Sequence, residues 1–268
     1  MWRRFFIALL ASTFVLCASF APTPATAAES TSKGLYISPL RSYLSIKAGD
    51  SLTRAFTVAN LTEQTMNVQF HVEQFSVTDY AYDYRFTEVD NDWVQLVETS
   101  TTLKPYESRE VPYRVSLPST ATPGGHYYTL YASSTLTSGE STNTVQVAML
   151  LYMTIEGELV LTSQITKHSL PSFVMTPSIA YSLDIKNTGN THYFALVSAR
   201  VDGLFYHDAP NGTSQLLMPG TTRAINASIT SPLLPGIYKL TYTIAPDQGA
   251  PTQSSHYFLY APLWCIVL

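Results

Sequence analysis

The chain has 268 residues, of which 46% are hydrophobic and 13% are charged, and its formal net charge is −4. A mildly acidic chain with so few charges lacks the basic surface that nucleic acid or anionic lipid would require, so a nucleic-acid partner is excluded. Its content of Tyr, Thr, Val and Ser is typical of β-structure.

Residues 1–27 have the pattern of a secretory signal peptide. Arg3 and Arg4 supply a positive start, residues 5–20 are apolar, and residues 25–27 form a cleavage site of small side chains. The alternative is an uncleaved anchor, although the apolar run is near the short end of what crosses a bilayer. We therefore expect export to the cell envelope or the cell surface.

Cleavage would also remove one of the two cysteines, Cys17, and leave only Cys265. A single thiol forms no intramolecular disulfide, so the fold must depend on its apolar core. About 240 residues would remain, which is enough for two domains that each have a core. Loss of Arg3 and Arg4 lowers the count of Lys and Arg from 15 to 13 against 19 Asp and Glu, so the net charge becomes −6.

Strand signals recur through the rest of the chain, and no stretch of it has a convincing helical period. Apolar and polar residues alternate with period two in the segments 66–72, 111–117, 145–149, 179–185, 193–201 and 238–244. This period indicates half-buried strands, and Gly, Pro, Asn and Asp clusters separate them as in a sandwich. The predicted fold class is all-β, with two tandem immunoglobulin-like β-sandwich domains after the signal peptide.

A tyrosine-rich segment interrupts the first half. In an extended chain Tyr80, Tyr82 and Tyr84 would share one face, and Asp79 and Asp83 would lie on the other. An aromatic row beside carboxylates suits stacking on sugar rings, so these five residues are the candidate ligand-binding residues. Two alternatives stay open: a hairpin whose aromatic face covers the sandwich, and a protein-binding surface, since tyrosine rings provide rigid contact area with a polar tip.

The boundary between the two domains is predicted near residues 156–158. Residues 145–155 read as the last strand of the first domain, and residues 159–165 as the first strand of the second. The expected domains are therefore 28–156 and 157–260. No Gly/Ser-rich linker intervenes, so we expect limited hinge motion.

The C-terminal residues 257–268 carry no charge. Their length is short of the ~20 residues that span a bilayer. Two interpretations stay open: a final strand that ends at about Tyr260 and is followed by an apolar stub at 261–268, or the beginning of a truncated membrane anchor.

The two halves repeat the same turn signals in the same order. In the first half these are Asn60, Leu103-Lys104-Pro105 and Pro123-Gly124; in the second they are Asn187, Leu217-Met218-Pro219 and Pro235-Gly236. Asn60 lies 45 residues before its proline, whereas Asn187 lies 32 residues before its own. We infer two copies of one sandwich, with about a dozen extra residues in the first.

Several of these turn signals carry a family resemblance. They are residues 37–39 through 48–50, the strand that ends at Asn60, residues 103–105, and residues 123–125. Together they resemble the N-terminal, peptidoglycan-binding domain of the WxL-interacting surface proteins of Gram-positive-type bacteria, over Leu35 to Ile155. The resemblance implies a cell-wall or surface-complex role, a second β-sandwich and a membrane-spanning C-terminus. The second half departs from that family's host-binding domain.

A second resemblance is to periplasmic pilus-assembly chaperones, which have two such domains. They complete a client's sheet with an alternating apolar strand near the end of the first domain. Val145, Val147, Met149 and Leu151 resemble that strand and are the candidate strand-complementation residues. The chain departs from the pattern because no Arg-Pro pair follows; residues 156–158 occupy that region.

Enzyme motifs are missing from the sequence. It contains no G-x-S-x-G, H-E-x-x-H, G-x-x-x-x-G-K or C-x-x-C. Its six histidines are scattered, with no metal-ligand pair at short spacing. The acidic run at residues 90–92 lacks the rest of a calcium loop. We expect no enzymatic activity, no cofactor and no metal.

The leading hypothesis is an exported, non-catalytic protein of the cell envelope that binds or adheres, with cell-wall glycan or a surface protein as its partner. The rival is a periplasmic pilus-assembly-type chaperone that acts by strand complementation. A structural spacer is the third option. Fold alone does not decide among them.

Overall fold

The computed structural model describes residues 34–138, 141–204, 206–209 and 212–267. The predicted signal peptide, residues 1–27, lies outside the described residues. The described chain forms two β-sandwiches within one compact unit that begins at Gly34. The prediction of an all-β chain with two tandem sandwiches is confirmed.

The strands of the first sandwich are β1 (Leu35–Ser38), β2 (Arg41–Ile46), β3 (Ser51–Asn60), β4 (Met66–Val77), β5 (Tyr84–Thr87), β6 (Val94–Leu96), β7 (Ser100–Leu103), β8 (Ser108–Ser116), β9 (Gly124–Ser138) and β10 (Ser141–Ile155). One sheet has the order β1-β3-β8-β6. The facing sheet has the order β2-β10-β9-β4-β5, and β7 also pairs with β4. The chain therefore changes sheets between β1 and β2, at Pro39 and Leu40.

The second sandwich contains β11 (Ser163–Ser169), β12 (Phe173–Val174), β13 (Ser178–Asn187), β14 (Tyr193–Gly203), β15 (Tyr206–Asp208), β16 (Thr213–Leu217), β17 (Thr222–Thr230), β18 (Gly236–Pro246) and β19 (Thr252–Tyr260). Its sheets have the orders β11-β13-β17 and β12-β19-β18-β14-β15, with β16 paired to β14. A short helix, α1 (Trp264–Val267), follows.

The inner faces of each pair of sheets form one apolar core. Met66, Val68 and Phe70 of β4 are buried and their neighbours along the strand are exposed, as period two requires. Ile179, Leu183 and Ile185 of β13 play the same part in the second sandwich. Each sandwich thus has the independent core that the length of the chain predicts.

The two sandwiches repeat one topology. β1 and β11 each pair with the next long strand, β2 and β12 pair in parallel with the last strand, and β7 and β16 flank the fourth strand. β6 has no counterpart in the part of the second sandwich that the structure describes. The extra residues that the sequence predicts in the first copy include this strand, which covers the outer edge of β8.

The repeated asparagines hold equivalent turns. The side-chain amide of Asn60 donates to the carbonyl of Leu103 at 3.3 Å, and that of Asn187 donates to the carbonyl of Leu217 at 2.9 Å. Both side chains are fully buried. A buried amide with these partners stabilises the turn and the following strand together, so the internal repeat is confirmed at the level of contacts.

The last strand, β19, ends at Tyr260, as the first interpretation of the C-terminus predicts. The four-residue helix α1 follows it. Among the residues that the structure describes, no helix has the length and apolar character needed to cross a membrane.

Candidate functional site

The last strand of the first sandwich has an edge that is only half covered. β10 pairs with β9 along its whole length, but it pairs with β2 only over Leu150–Ile155. β1, which precedes β2, lies in the facing sheet and pairs with β3 instead. Within the described residues, the edge of β10 from residue 141 to residue 149 therefore has no strand beside it. This segment is called the open edge below.

Backbone hydrogen-bonding groups point out of this edge. The N–H of Leu150 donates to the carbonyl of Leu40 at 3.0 Å, so the backbone of Leu150 faces away from β9. Residues of a strand alternate in the side to which they direct N–H and C=O. Thr144, Gln146 and Ala148 consequently direct theirs toward the open edge, where they are available to another extended chain.

The side chains of the alternate residues point between the two sheets. Met149 and Leu151 are 1% and 0% exposed, whereas Val145 and Val147 are only half-buried against the same core. Burial thus decreases within the open edge, from Met149 toward Val145. An added strand with apolar side chains would complete the burial of both valines.

The composition of β10 does not protect its edge. Residues 141–155 contain no charged residue and no proline. Natural proteins usually blunt an exposed edge with lysine, proline or a bulge, because an unprotected edge pairs with other chains. All four candidate strand-complementation residues, Val145, Val147, Met149 and Leu151, point to the interior from this one strand.

The tyrosine-rich segment differs from its prediction. Tyr80 and Tyr82 have φ angles of +64° and +59°, and β5 begins only at Tyr84. Left-handed conformations turn the chain, so the three rings do not form one row on an extended face. Tyr80 and Tyr84 are exposed, and Asp83 is exposed and bonded within the turn to Thr78.

The segment Asp79–Tyr82, called the strap below, is bound to the second sandwich. The N–H of Tyr80 donates to the carbonyl of Thr222 at 2.6 Å, and the N–H of Thr222 donates to Asp79 Oδ1 at 2.7 Å. The N–H of Ala224 donates to the carbonyl of Tyr80 at 3.4 Å. Tyr80 therefore adds one residue to the free edge of β17.

The side chain of Tyr82 lies in the same contact. Its hydroxyl accepts a hydrogen bond from the N–H of Met218 at 3.1 Å and lies 3.0 Å from Thr221 Oγ1. The guanidinium of Arg223 lies over its ring, 4.7 Å from the centroid. Asp79 and Tyr82 are thus engaged with the chain's own second sandwich.

Aromatic side chains continue this interface toward β2. Tyr43 stacks on Tyr152 with 5.0 Å between ring centroids, and the ring of His192 lies 5.3 Å from Tyr152. The backbone N–H of His192 donates to the hydroxyl of Tyr127 at 3.0 Å. Burial lowers the pKa of His192 from 6.5 to about 4 and raises the pKa of Tyr127 above its usual value. This cluster was not predicted from the sequence.

No group of three or more His, Cys, Asp or Glu side chains that could hold a metal ion occurs among residues 34–138, 141–204, 206–209 and 212–267. No family model matches the sequence, and no curated protein matches it. The resemblance to the WxL-interacting proteins stays a prediction.

Solved structures do match the chain. A class 5 fimbriae chaperone, CfaA, is 11% identical with a TM-score of 0.49, and the match covers 86% of this chain and 100% of that chain. A chaperone–tip adhesin complex of CFA/I fimbriae biogenesis gives 13% identity, a TM-score of 0.47, and coverage of 85% and 99%. The CsuC–CsuE chaperone–tip adhesion subunit complex of Acinetobacter baumannii gives 13% identity, a TM-score of 0.42, and coverage of 85% and 99%.

The leading prediction, a cell-envelope binding or adhesion protein, is wrong. The three solved structures described above are of fimbrial chaperones and their complexes. The segment on which the glycan hypothesis depended is a turn that is bound to the second sandwich through Asp79, Tyr80 and Tyr82. Its aromatic and acidic side chains do not form the extended row that the hypothesis required.

Proposed function

We propose that this chain is an exported, non-catalytic assembly chaperone that holds an extended segment of a client protein at the open edge of β10. The observation that carries the proposal is the half-covered β10, whose backbone and apolar side chains at residues 144–149 lack a neighbouring strand among the described residues. Export rests on the signal-peptide pattern of residues 1–27.

The client segment would act as an added strand. Its backbone would exchange hydrogen bonds with Thr144, Gln146 and Ala148, which gives affinity for any extended chain. Its alternate side chains would enter the space between the sheets beside Val145 and Val147, which selects for apolar residues at every second position. The client is therefore a subunit with an alternating apolar segment that is not buried in its own fold.

Burial would drive the association. Each apolar square ångström removed from water contributes about 25 cal/mol. The half-buried Val145 and Val147 add their own remaining exposed area to that of the client. A client that folds only when this segment is covered would be protected from aggregation until another strand replaces the chaperone.

A proline at Gln146 tests the proposal. The N–H of Gln146 points out of the edge, so Gln146→Pro removes one client bond without removing a bond to β9. Clients are first identified by co-purification from the envelope fraction of producing cells. We expect Gln146→Pro to weaken client binding at least tenfold in calorimetry, while Gln146→Ala binds as the parent does.

Hydrogen exchange provides the second measurement for the same test. A bound client should protect the amides of Thr144, Gln146 and Ala148, and the amides of Val145 and Val147, which already bond to β9, should change little. Client binding that is equal for Gln146→Pro and Gln146→Ala, with no new protection at these three amides, would contradict the proposal.

A further inference from the structure

We propose that the strap is a positioning element that fixes the orientation of the two sandwiches. Its contacts are made by backbone and side chain together, and they join the turn between β4 and β5 to β17. The consequence for client binding rests on the function proposed above, whereas the fixed orientation itself does not.

The strap contacts the outer edge of β17, which no strand of the second sandwich covers among the described residues. In the first sandwich β6 covers the edge of β8, and the described part of the second sandwich has no such strand beside β17. Tyr80 pairs there with Arg223 and bonds to Thr222 and Ala224. The carboxylate of Asp79 adds a charge-assisted bond from the N–H of Thr222.

Tyr82 links the strap to a further strand of the second sandwich. Its hydroxyl receives the N–H of Met218, directly after β16, and its ring lies under Arg223 of β17. Arg223 in turn donates to the carbonyl of Leu216 in β16 at 2.7 Å. Tyr82 therefore contacts both sheets of the second sandwich, one at Met218 beside β16 and the other at Arg223 of β17.

The backbone of the strap supports this role. Non-glycine residues rarely adopt left-handed conformations, and each costs free energy that surrounding contacts must offset. Tyr80 and Tyr82 both have positive φ angles, and both make hydrogen bonds to the second sandwich. The contacts across the interface, together with bonds inside the turn such as that from the N–H of Tyr82 to the carbonyl of Thr78 at 3.2 Å, hold the turn in its observed shape.

The strap lengthens the contact between the two sandwiches along the sheet. The aromatic cluster joins the sandwiches at β2 and β10, through Tyr43 and Tyr152. The strap follows β4, which lies three strands from β2 and two strands from β10 in the same sheet, and Met218, which bonds to Tyr82, packs in one buried cluster with Phe75 and Tyr152. The strap thus extends to β4 an interface that begins at β2 and includes the bond from the N–H of Gly125 to the carbonyl of Asn190 at 2.9 Å, and this longer interface restrains rotation about residues 156–158.

The open edge belongs to that same sheet. Because β10 carries Tyr152 and lies in the same sheet as β4, which leads into the strap, fixing the sheet also fixes the direction of the open edge relative to the second sandwich. A client segment on β10 would then meet the second sandwich in a single orientation. Loss of the strap should loosen this arrangement without changing the edge itself.

Residual dipolar couplings measured on the intact chain without client test the proposal. The parent should fit a single alignment tensor for both sandwiches, and Tyr82→Ala should require two tensors of different magnitude. Tyr106→Ala is the matched control, since Tyr106 is also a tyrosine with a φ angle of +59° in a turn, and it is 66% exposed. A single tensor for Tyr82→Ala, or separate tensors for the parent, would overturn the proposal.

Further variants keep the test decisive. If Tyr82→Ala fails to fold, Tyr82→Phe keeps the ring but loses the bond from Met218, and Asp79→Ala loses the bond from Thr222. The double variant Tyr82→Phe plus Asp79→Ala should again require a separate alignment tensor for each sandwich. A single tensor for the double variant would overturn the proposal. Gln146→Pro should weaken client binding at least tenfold and keep a single tensor, so failure of the proposed function and failure of the strap remain distinguishable.

Discussion

The last strands of the two sandwiches, β10 and β19, occupy equivalent places and differ in the side chains at their open edges. Each pairs fully with its antiparallel neighbour, and each is covered in parallel over a short stretch, by β2 over six residues and by β12 over two. Both therefore have an open edge within the described residues. The interior-facing residues at the open edge are Val145, Val147 and Met149 in β10, but Thr252, Ser254 and His256 in β19.

Under the proposed function, this difference means that architecture alone does not make a binding edge. An inserted apolar strand would be favourable beside the valines of β10, and it would bury unpaired polar groups beside Ser254 and His256 of β19. Thr252 already directs its hydroxyl to the carbonyl of Ser163 in β11, at 3.4 Å. Polar interior positions thus protect β19, as inward-pointing polar residues protect edges elsewhere.

Giving β10 the polar pattern of β19 should have the largest effect. The double variant Val145→Thr plus Val147→Ser should weaken client binding about a thousandfold, about 4 kcal/mol, because apolar area on both chains is no longer buried. Calorimetry with the identified client measures this change. The control, Thr144→Ser plus Gln146→Ser, alters outward-facing positions and should bind as the parent does; a similar loss in both variants would refute the explanation.

The shared asparagines allow the two halves to be compared by stability. Asn60→Ala should lower the free energy of unfolding by about 3 kcal/mol, because the carbonyls of Leu103, Lys104 and Gln64 lose their donor in a buried place. Asn187→Ala removes two such bonds and should cost somewhat less.

Urea denaturation measures both asparagine variants. Asn67→Ala is the control, since Asn67 is exposed on β4, and it should change the free energy of unfolding by less than about 0.5 kcal/mol. If Asn60→Ala were no more destabilising than this control, the two turns would not have the common structural role inferred from the repeat.

Acid should weaken the interface between the sandwiches through His192. Its pKa is about 4 in the folded chain and 6.5 in the absence of burial, so the unfolded chain binds more protons as the pH falls below 6.5. Stability is therefore lost from pH 6.5 downward, by about 2 kcal/mol between pH 7 and pH 5. His192→Gln should abolish this part of the pH dependence in urea denaturation; an unchanged profile would show that another group is responsible.

The long alternating strands and the repeat were predictable from sequence because period two and the turn residues are local signals. The first strand of the second sandwich was predicted at residues 159–165 and begins only at Ser163. β10 was also identified as a candidate edge, since Val145, Val147 and Met149 alternate without a charge. The coverage of only half of β10 by β2 was not predictable, because the pairing of strands more than 100 residues apart leaves no local pattern.

The strap and the aromatic cluster could be identified only from the structure. Alternation predicted an extended segment at Tyr80 and Tyr82, and tyrosine is not a residue that signals a left-handed turn. The partners of Tyr82 lie 136 and 139 residues away. Tyr152 offered one usable signal, a large aromatic ring at an outward position of a predicted strand, which favours burial against another domain.

The smallest expected effect comes from making β19 resemble β10, with Ser254→Val plus His256→Val in the Gln146→Pro background. The apolar interior positions should promote edge pairing between chains and strengthen self-association about tenfold in sedimentation velocity. Newly protected amides should be those of Gln253, Ser255 and Tyr257, because the N–H of Leu259 donates to the carbonyl of Ser172 and alternate residues share that direction.

The matched control for that variant is Gln253→Val plus Ser255→Val, which adds two valines to the outward face of the same strand. It raises surface hydrophobicity equally but offers no space between the sheets. Equal self-association of the two variants would show that general hydrophobicity, rather than the interior positions, governs the edge. A difference confined to the inward variant would mean that two side chains decide whether an equivalent strand accepts a partner.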